Sequence, residues 1–354
     1  MSRSHLLKTF TTIAKFGVSI GIIAFLVHSA NRDNVLDELR TRPKDWFQLA
    51  LAAVFTLLAV LMSFVRWHSL IRAIDVPIRL PQTLRLGFLG FFCNYISLGS
   101  VGGDLFKAVF LARQYQGQRT KAVASVVVDR LIGLYGLFLV AAIAVLAMGT
   151  WQSEVREVKI VSTAALVCAL TASAGMTVLF FTGFTVGKGA EAVEHLPLVG
   201  PILGQIDHAV RRYREQRRVI VLATVMSMAT HTLMTCGFYF ASGGFKLARP
   251  SFAEHFVVVP LTSLAGAIPL PMAGLGAMEY AFDRLSHYVS ASVDVPLNTG
   301  IVAALAIRAI MIGIAMIGVF YYFASRREVQ AAMHEAELEA DATSTEPQEP
   351  CEAN

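Results

Sequence analysis

Charge is what this chain lacks most. Only 16% of its 354 residues are Asp, Glu, Lys or Arg, against roughly 25% in soluble domains. Hydrophobic residues make up 55%, and the mean hydropathy is +0.58. That balance excludes a soluble globular fold. The four cysteines, Cys93, Cys168, Cys236 and Cys351, show no paired spacing. Neither a disulfide framework nor a zinc site is expected, and the three in apolar runs read as small buried hydrophobes. The sequence also has no P-loop, no GxSxG elbow and no HExxH, which removes the chemistries those motifs carry. No cofactor and no metal is expected.

Long apolar runs stand in place of charge. They cover about Phe10–Ala30, Phe47–Val65, Leu86–Val101, Ala122–Gly149, Ile160–Val186, Val219–Ala241, Phe256–Leu275 and Leu297–Ala324. Several reach the ~20 residues needed to span a hydrocarbon core. The first follows a basic start (Arg3, His5, Lys8) without a convincing small-residue cleavage site, and is expected to stay as an uncleaved anchor. Beyond Arg327 come eight acidic residues and no Lys or Arg, so residues 326–354 are expected to form a disordered acidic tail. Without those eight charges the formal +5 becomes about +13 for the rest, which is a topology signal before it is a ligand signal.

Lys and Arg concentrate in cytoplasmic loops. The basic N-terminus is therefore expected inside, and the charge-balanced connection 31–46 outside. Arg66, Arg72, Arg79 and Arg85 against Asp75 mark the next loop as inside. The following loop, with Lys107, Arg113, Arg119 and Lys121 against Asp104, also reads as inside. Both can be so only if the run between them enters the bilayer and turns back. Glycine-rich chain is tolerated at membrane depth where protein or a watery cavity covers it, so the break at Gly102, Gly103 and Asp104 reads as a re-entrant element. The basic segment Arg211–Arg218 returns inside. The seventh run, broken by Pro260, Pro269, Pro271, Gly274 and Gly276, reads as turning back from the outside, and the last run ends inside at Arg326 and Arg327. The expected fold is an all-α integral membrane protein of two inverted repeats, about 10–150 and 160–325. It has about six transmembrane helices and two re-entrant broken helical hairpins, with both termini cytoplasmic.

The two broken elements share their chemistry. Asp104 is followed after 26 residues by Arg130, and Glu279 after 29 residues by Arg308, each arginine about ten residues inside an apolar run. An arginine there is costly at a lipid-facing helix centre, about 2.5–3.5 kcal/mol on insertion scales, so both are expected to face the protein interior. One reading has them present positive charge to a headgroup phosphate, which a guanidinium binds bidentately. The other has Arg130 pair with Asp104 or Asp129, and Arg308 with Glu279, to lock helices. Asp104 and Glu279 either cap helices that open after glycine breaks or hold a proton or a headgroup ammonium. Asp129 faces a different side of its helix from Arg130, and Lys107 is one candidate partner. His231, deep in the sixth run, has no metal-spaced companion and reads as structural or as a proton-linked group. Pro201–Arg218 reads as an interfacial amphipathic helix on an anionic leaflet or as a solvated topology anchor. Nucleic-acid binding is not expected, because the basic residues sit beside spans.

With these residues in view, the chain resembles the flippase-like transmembrane family typified by the membrane region of lysylphosphatidylglycerol synthases. The likeness rests on "SVGGDLFKAVFL" followed by "VVVDRLIGL", and on "IPLPMAGLGAMEYAF" followed by "AALAIRAI". It implies a bacterial inner-membrane protein handling phospholipids or other lipid-linked anions, with motif positions at Gly102, Gly103, Asp104, Arg130, Gly274, Gly276, Glu279 and Arg308. Lys107 stands where the family often has Arg, and Ala273–Gly274 where it has a double glycine. Only the acidic tail follows Ala324, so synthase activity is not expected. The leading expectation is a flippase or scramblase whose partners are membrane lipids. The alternatives are a membrane-embedded enzyme acting on a lipid phosphate and an accessory subunit of a lipid-modifying transferase.

Overall fold

A computed structural model describes residues 43–96, 102–115, 119–181, 211–266, 276–290 and 293–324. The first apolar run, the acidic tail and Gly274 lie outside them, as does the part of the expected amphipathic segment before Arg211. Every regular element among the described residues is helical. Helix α1 spans Trp46–Ala73. Asp45 starts it, accepting the Gln48 N–H at 3.1 Å. Asp75 ends it, in the left-handed region at φ 62° and just before Pro77, where a helix cannot continue. There follow α2 (Leu80–Ile96), α3 (Gly102–Gln114), α4 (Arg119–Met148), α5 (Arg156–Phe181), α6 (Arg217–Gly243), α7 (Phe252–Gly266), α8 (Ala277–Val289) and α9 (Thr299–Ala324).

Five of these, α1, α4, α5, α6 and α9, are long and apolar enough to cross a membrane. Leu170, Phe320 and Phe323 on their outer faces are 73%, 79% and 66% exposed, which suits hydrocarbon and not water. The protein is an all-α membrane protein. Of the six crossings expected, five are these helices, and the sixth, the first run, lies outside the described residues. The other four helices are shorter, at 17, 13, 15 and 13 residues. At 1.5 Å per residue the 13-residue helices reach only about 20 Å, well short of the ~30 Å core. They pack in pairs, α2 with α3 and α7 with α8.

Several sequence boundaries need correction. Arg85 lies within α2, Lys107 and Arg113 within α3, and Arg119 and Lys121 in the first turn of α4, so these basic residues belong to helices beside the turns and not to loops. Helix α1 continues past Val65 to Ala73, so Arg66 and Arg72 belong to the helix and not to a loop. Nothing between them breaks a helix, and Arg66 is held by an ion pair described below. Helix α7 runs through Pro260. A proline removes one backbone hydrogen bond, and a packed membrane helix can re-satisfy the freed carbonyl. The other breakers expected before Gly276, namely Pro269, Pro271 and Gly274, lie outside the described residues.

Small residues let the long helices meet. Ala52, Thr56 and Ala59 of α1 are fully buried. A Cβ on Gly237 of α6 would come within 2.8 Å of Thr56 Oγ1, so α1 and α6 pack through small faces as membrane helices do. The two helix pairs then sit at opposite ends of this bundle. One core gathers Trp67 and Ile71 at the end of α1, Leu86, Phe106 and Leu111 of the first pair, and the starts of α4 and α6. The other gathers Ala52 near the start of α1, Val257, Val258 and Phe282 of the second pair, and the start of α9.

The packing has a regularity beyond this. Helix α2 lies against α9 and α7 against α4; α3 lies against α4 and α8 against α9. Likewise α1 meets α2, α4 and α9, where α6 meets α7, α9 and α4. Exchanging α1 with α6, α2 with α7, α3 with α8 and α4 with α9 carries each of these contacts onto another. Helices α2 and α9 are antiparallel, because Phe88 stacks on Tyr321 near the end of α9, while Tyr95, the last but one residue of α2, lies by Arg308 in the first half of α9.

Candidate functional site

The first pair of helices closes on a glycine contact. A Cβ on Gly103 would fall on the Gly90 carbonyl oxygen, so no other residue lets α2 and α3 approach this far. Gly103 N–H donates to Asn94 Oδ1 at 2.9 Å, which supplies one of the caps that the start of a helix requires. The Asp104 carboxylate is thereby left to cations. Arg130 Nε of α4 donates to its Oδ2, and Lys107 Nζ, one turn on, lies 3.3 Å from Oδ1. Lys107 also sits over the Trp67 ring, 5.3 Å from its centroid, where the aromatic face offsets part of its lost hydration. Asp104, Lys107 and Arg130 together carry one net positive charge.

The second pair makes the corresponding arrangement with different accessibility. Gly276 opens α8 at φ 97°, a conformation that favours glycine. Glu279 does two things at once. Its Oε2 accepts the Gly276 N–H at 2.7 Å, and its Oε1 accepts Arg308 Nε of α9 at 2.9 Å. Met278 Sδ stands 3.6 Å from Arg308 Nη2. The Tyr95 hydroxyl, from α2, is buried and faces Arg308 and Glu279. The Arg308 side chain is 5% exposed, whereas that of Arg130 is 55% exposed. The Glu279–Arg308 pair is sealed and neutral, whereas Lys107 makes the cluster around the exposed Arg130 net positive.

Asp129 belongs to neither cluster. It faces α1, where Arg66 Nε and Nη2 reach its two oxygens at 2.8 and 3.1 Å. Arg66 Nη1 also donates to Ser227 Oγ of α6 at 2.9 Å. Ser227 Oγ in turn donates to the Gly133 carbonyl, which also lies 3.0 Å from His231 Nε2. This buried network ties α1, α4 and α6 together, and it accounts for His231. Among the expected site residues, then, Asp104, Lys107 and Arg130 come together, Glu279 and Arg308 come together, and Asp129 stands apart. Gly102 and Gly276 open helices, Gly103 makes the close approach, and Gly274 is outside the described residues.

Sequence reasoning did not single out Arg66, Asn94 or Tyr95. For Arg66 a signal existed, since no helix breaker separates it from the apolar run before Asp75 and Pro77. The basic segment also proves partly anchored to protein. Tyr213 is fully buried with its hydroxyl donating to the Leu70 carbonyl at 3.1 Å, and Arg212 pairs with Asp75 at 2.6 Å. Arg212 also pairs with Glu215, and the two contacts hold its guanidinium above its ordinary pKa, the Asp75 hydrogen bond foremost and Glu215 next. Among the described residues, no group of three or more His, Cys, Asp or Glu could hold a metal ion.

A family model described as the lysylphosphatidylglycerol synthase TM region matches residues 12–318. Two proteins of Methanothermobacter thermautotrophicus, each named a UPF0104 membrane protein, are similar along most of their length. One is 22% identical over 333 residues, covering 88% of this chain and 93% of that protein. The other is 22% identical over 311 residues, covering 78% and 88%.

Proposed function

This chain belongs to the lysylphosphatidylglycerol synthase TM region family, and on that premise we propose that it translocates phospholipids or other lipid-linked anions across the membrane. The headgroup phosphate binds between the two broken helix pairs, which act as re-entrant hairpins of an inverted repeat, while the acyl tails stay in hydrocarbon. One observation carries this reading: two acid–arginine pairs of like design, built at hairpins that enter the bundle from opposite ends, differ tenfold in exposure of the arginine side chain, 55% against 5%. Broken helices at corresponding places of inverted halves are where transporters bind their substrates. The interchange of packing contacts supports the repeat. A headgroup crossing without neutralisation would meet the desolvation penalty of any buried charge, and the net positive Asp104–Lys107–Arg130 cluster offsets it.

Proteoliposomes holding labelled phosphatidylglycerol test the reading. Arg130→Ala removes the exposed guanidinium, and a lost charge-assisted hydrogen bond of about 1.5–3 kcal/mol predicts a fall in headgroup transfer of tenfold or more. The lipid recovered from wild-type vesicles should be chemically unchanged. Transfer that persists at the wild-type rate in Arg130→Ala, or a modified lipid product, would overturn the proposal.

The same reading places both termini in the cytoplasm. Arg72, Arg79, Arg85 and Arg113 gather at the end of the bundle where the first hairpin packs, as cytoplasmic ends do. An epitope fused to either terminus should resist protease added to intact spheroplasts and be cleaved after permeabilisation. Cleavage in intact spheroplasts would reverse the orientation.

A further inference from the structure

A cavity of about 350 Å³ opens at the mouth of the first hairpin, between the beginning of α2 and the last turn of α3. Gln82, Arg85, Leu86, Phe110, Arg113 and Gln114 line it. Its volume falls in the ordinary range of small-ligand sites. The lining is divided in kind: two guanidinium groups and two carboxamides on one side of the chemistry, Leu86 and Phe110 on the other. Guanidinium groups match phosphate oxygens, and carboxamides can donate to further oxygens or accept from glycerol hydroxyls. An apolar wall beside them suits the first carbons of an acyl chain and has no use for a free anion.

The position of the cavity is equally informative. Helix α3 carries Asp104 in its first turn and Arg113 nine residues later, a separation of about 14 Å along the axis. One helix therefore runs from the cavity at the mouth of the hairpin to the Asp104–Lys107–Arg130 cluster at its tip. Because α2 is antiparallel to α9, the cavity opens where α9 ends, at the bundle end that also carries Arg72 and Arg79.

We propose that this cavity is a loading station, which takes the glycerophosphate part of an anionic phospholipid from the leaflet at that end before the headgroup moves along α3 to Arg130. The proposal rests on the translocator reading and adds to it a second, earlier site. The shared chemistry is a phosphate ester, and a lipid is distinguished from free phosphate by Leu86 and Phe110.

Equilibrium binding to the purified full chain in detergent tests it apart from transport. The background is Arg130→Gln, which removes the exposed cation at the hairpin tip, and the probes are dioctanoyl phosphatidylglycerol, dioctanoylglycerol and inorganic phosphate. Phosphatidylglycerol should still bind this background. Arg85→Gln with Arg113→Gln should weaken that binding tenfold or more, the loss of at least one charge-assisted bond. Arg85→Lys with Arg113→Lys should keep clearly more affinity than the glutamine pair. Dioctanoylglycerol should not compete, and inorganic phosphate should compete far more weakly than the lipid. Three results would each overturn the station: unchanged affinity in the glutamine pair, equal loss in the lysine pair, or competition by phosphate or dioctanoylglycerol as strong as by the phospholipid. Lost flux in proteoliposomes with this binding intact would strike the translocator reading alone.

Discussion

Arg308→Ala is expected to destabilise the protein by about 3–5 kcal/mol, because it leaves a buried carboxylate without its cation. Glu279 is 1% exposed and Arg308 4% exposed, so water cannot replace the lost partner. The Gly276 N–H still meets Glu279, but one neutral donor does not balance an ionised group in such a place. Removing both charges at once should be much milder. Glu279→Gln with Arg308→Met keeps the volume and relieves the desolvation, as isosteric replacement of buried ion pairs often does. Arg130→Ala provides the contrast, since a side chain 55% exposed contributes little to stability through its ion pair. Thermal unfolding in detergent should rank the variants in the order wild type, Arg130→Ala, the double variant and Arg308→Ala. An Arg308→Ala protein that melts with the wild type would show that Glu279 is not sealed.

The second large effect is expected one residue before Arg130. Asp129→Ala leaves Arg66, with a side chain 8% exposed, holding only the Ser227 hydroxyl among the partners described above. The expected cost is again about 3–5 kcal/mol, spread over the three helices the network joins. Arg66→Met with Asp129→Leu should recover most of it. Adjacent positions are thus predicted to fail differently: Asp129→Ala reduces folded protein in the membrane, whereas Arg130→Ala leaves folded protein that does not move lipid. Yield of monodisperse protein together with the melting temperature measures the first, and vesicle transfer measures the second. Equal yields for the two variants would remove the distinction.

These pairings were unequally legible in the sequence. The acid–arginine spacing after each glycine break pointed to Glu279 for Arg308 and left Arg130 between Asp104 and Asp129. The structure gives Arg130 to Asp104, the acid that opens a short helix before the long helix carrying the arginine. Loop charge and run length likewise located the five crossing helices and the two broken pairs. The partner of Asp129 was not legible. Arg66 lies 63 residues away, on a helix whose meeting with α4 depends on tertiary packing and leaves no local pattern. Proline also misled, since Pro260 sits inside α7; a residue that breaks helices in water is tolerated in a packed membrane bundle. Nor does a list of basic residues such as Arg211–Arg218 reveal that Tyr213 within it is core.

The adjacency of Asp129 and Arg130 has a mechanical consequence. At 3.6 residues per turn, neighbours project about 100° apart around the helix axis. Asp129 is held by Arg66 of α1, and Arg130 by Asp104 of the first hairpin. Helix α4 is therefore keyed in two directions within one peptide unit, and any spin about its long axis must break one bond or the other. The Asp129 bond is bidentate and largely shielded, with side chains 8% and 15% exposed, whereas the Arg130 side chain is 55% exposed. If lipid phosphate binds as proposed, an anion that took Arg130 from Asp104 would release α3 while Asp129 and Arg66 kept the bearing of α4, which would make α4 a fixed post and the first helix pair a swinging gate.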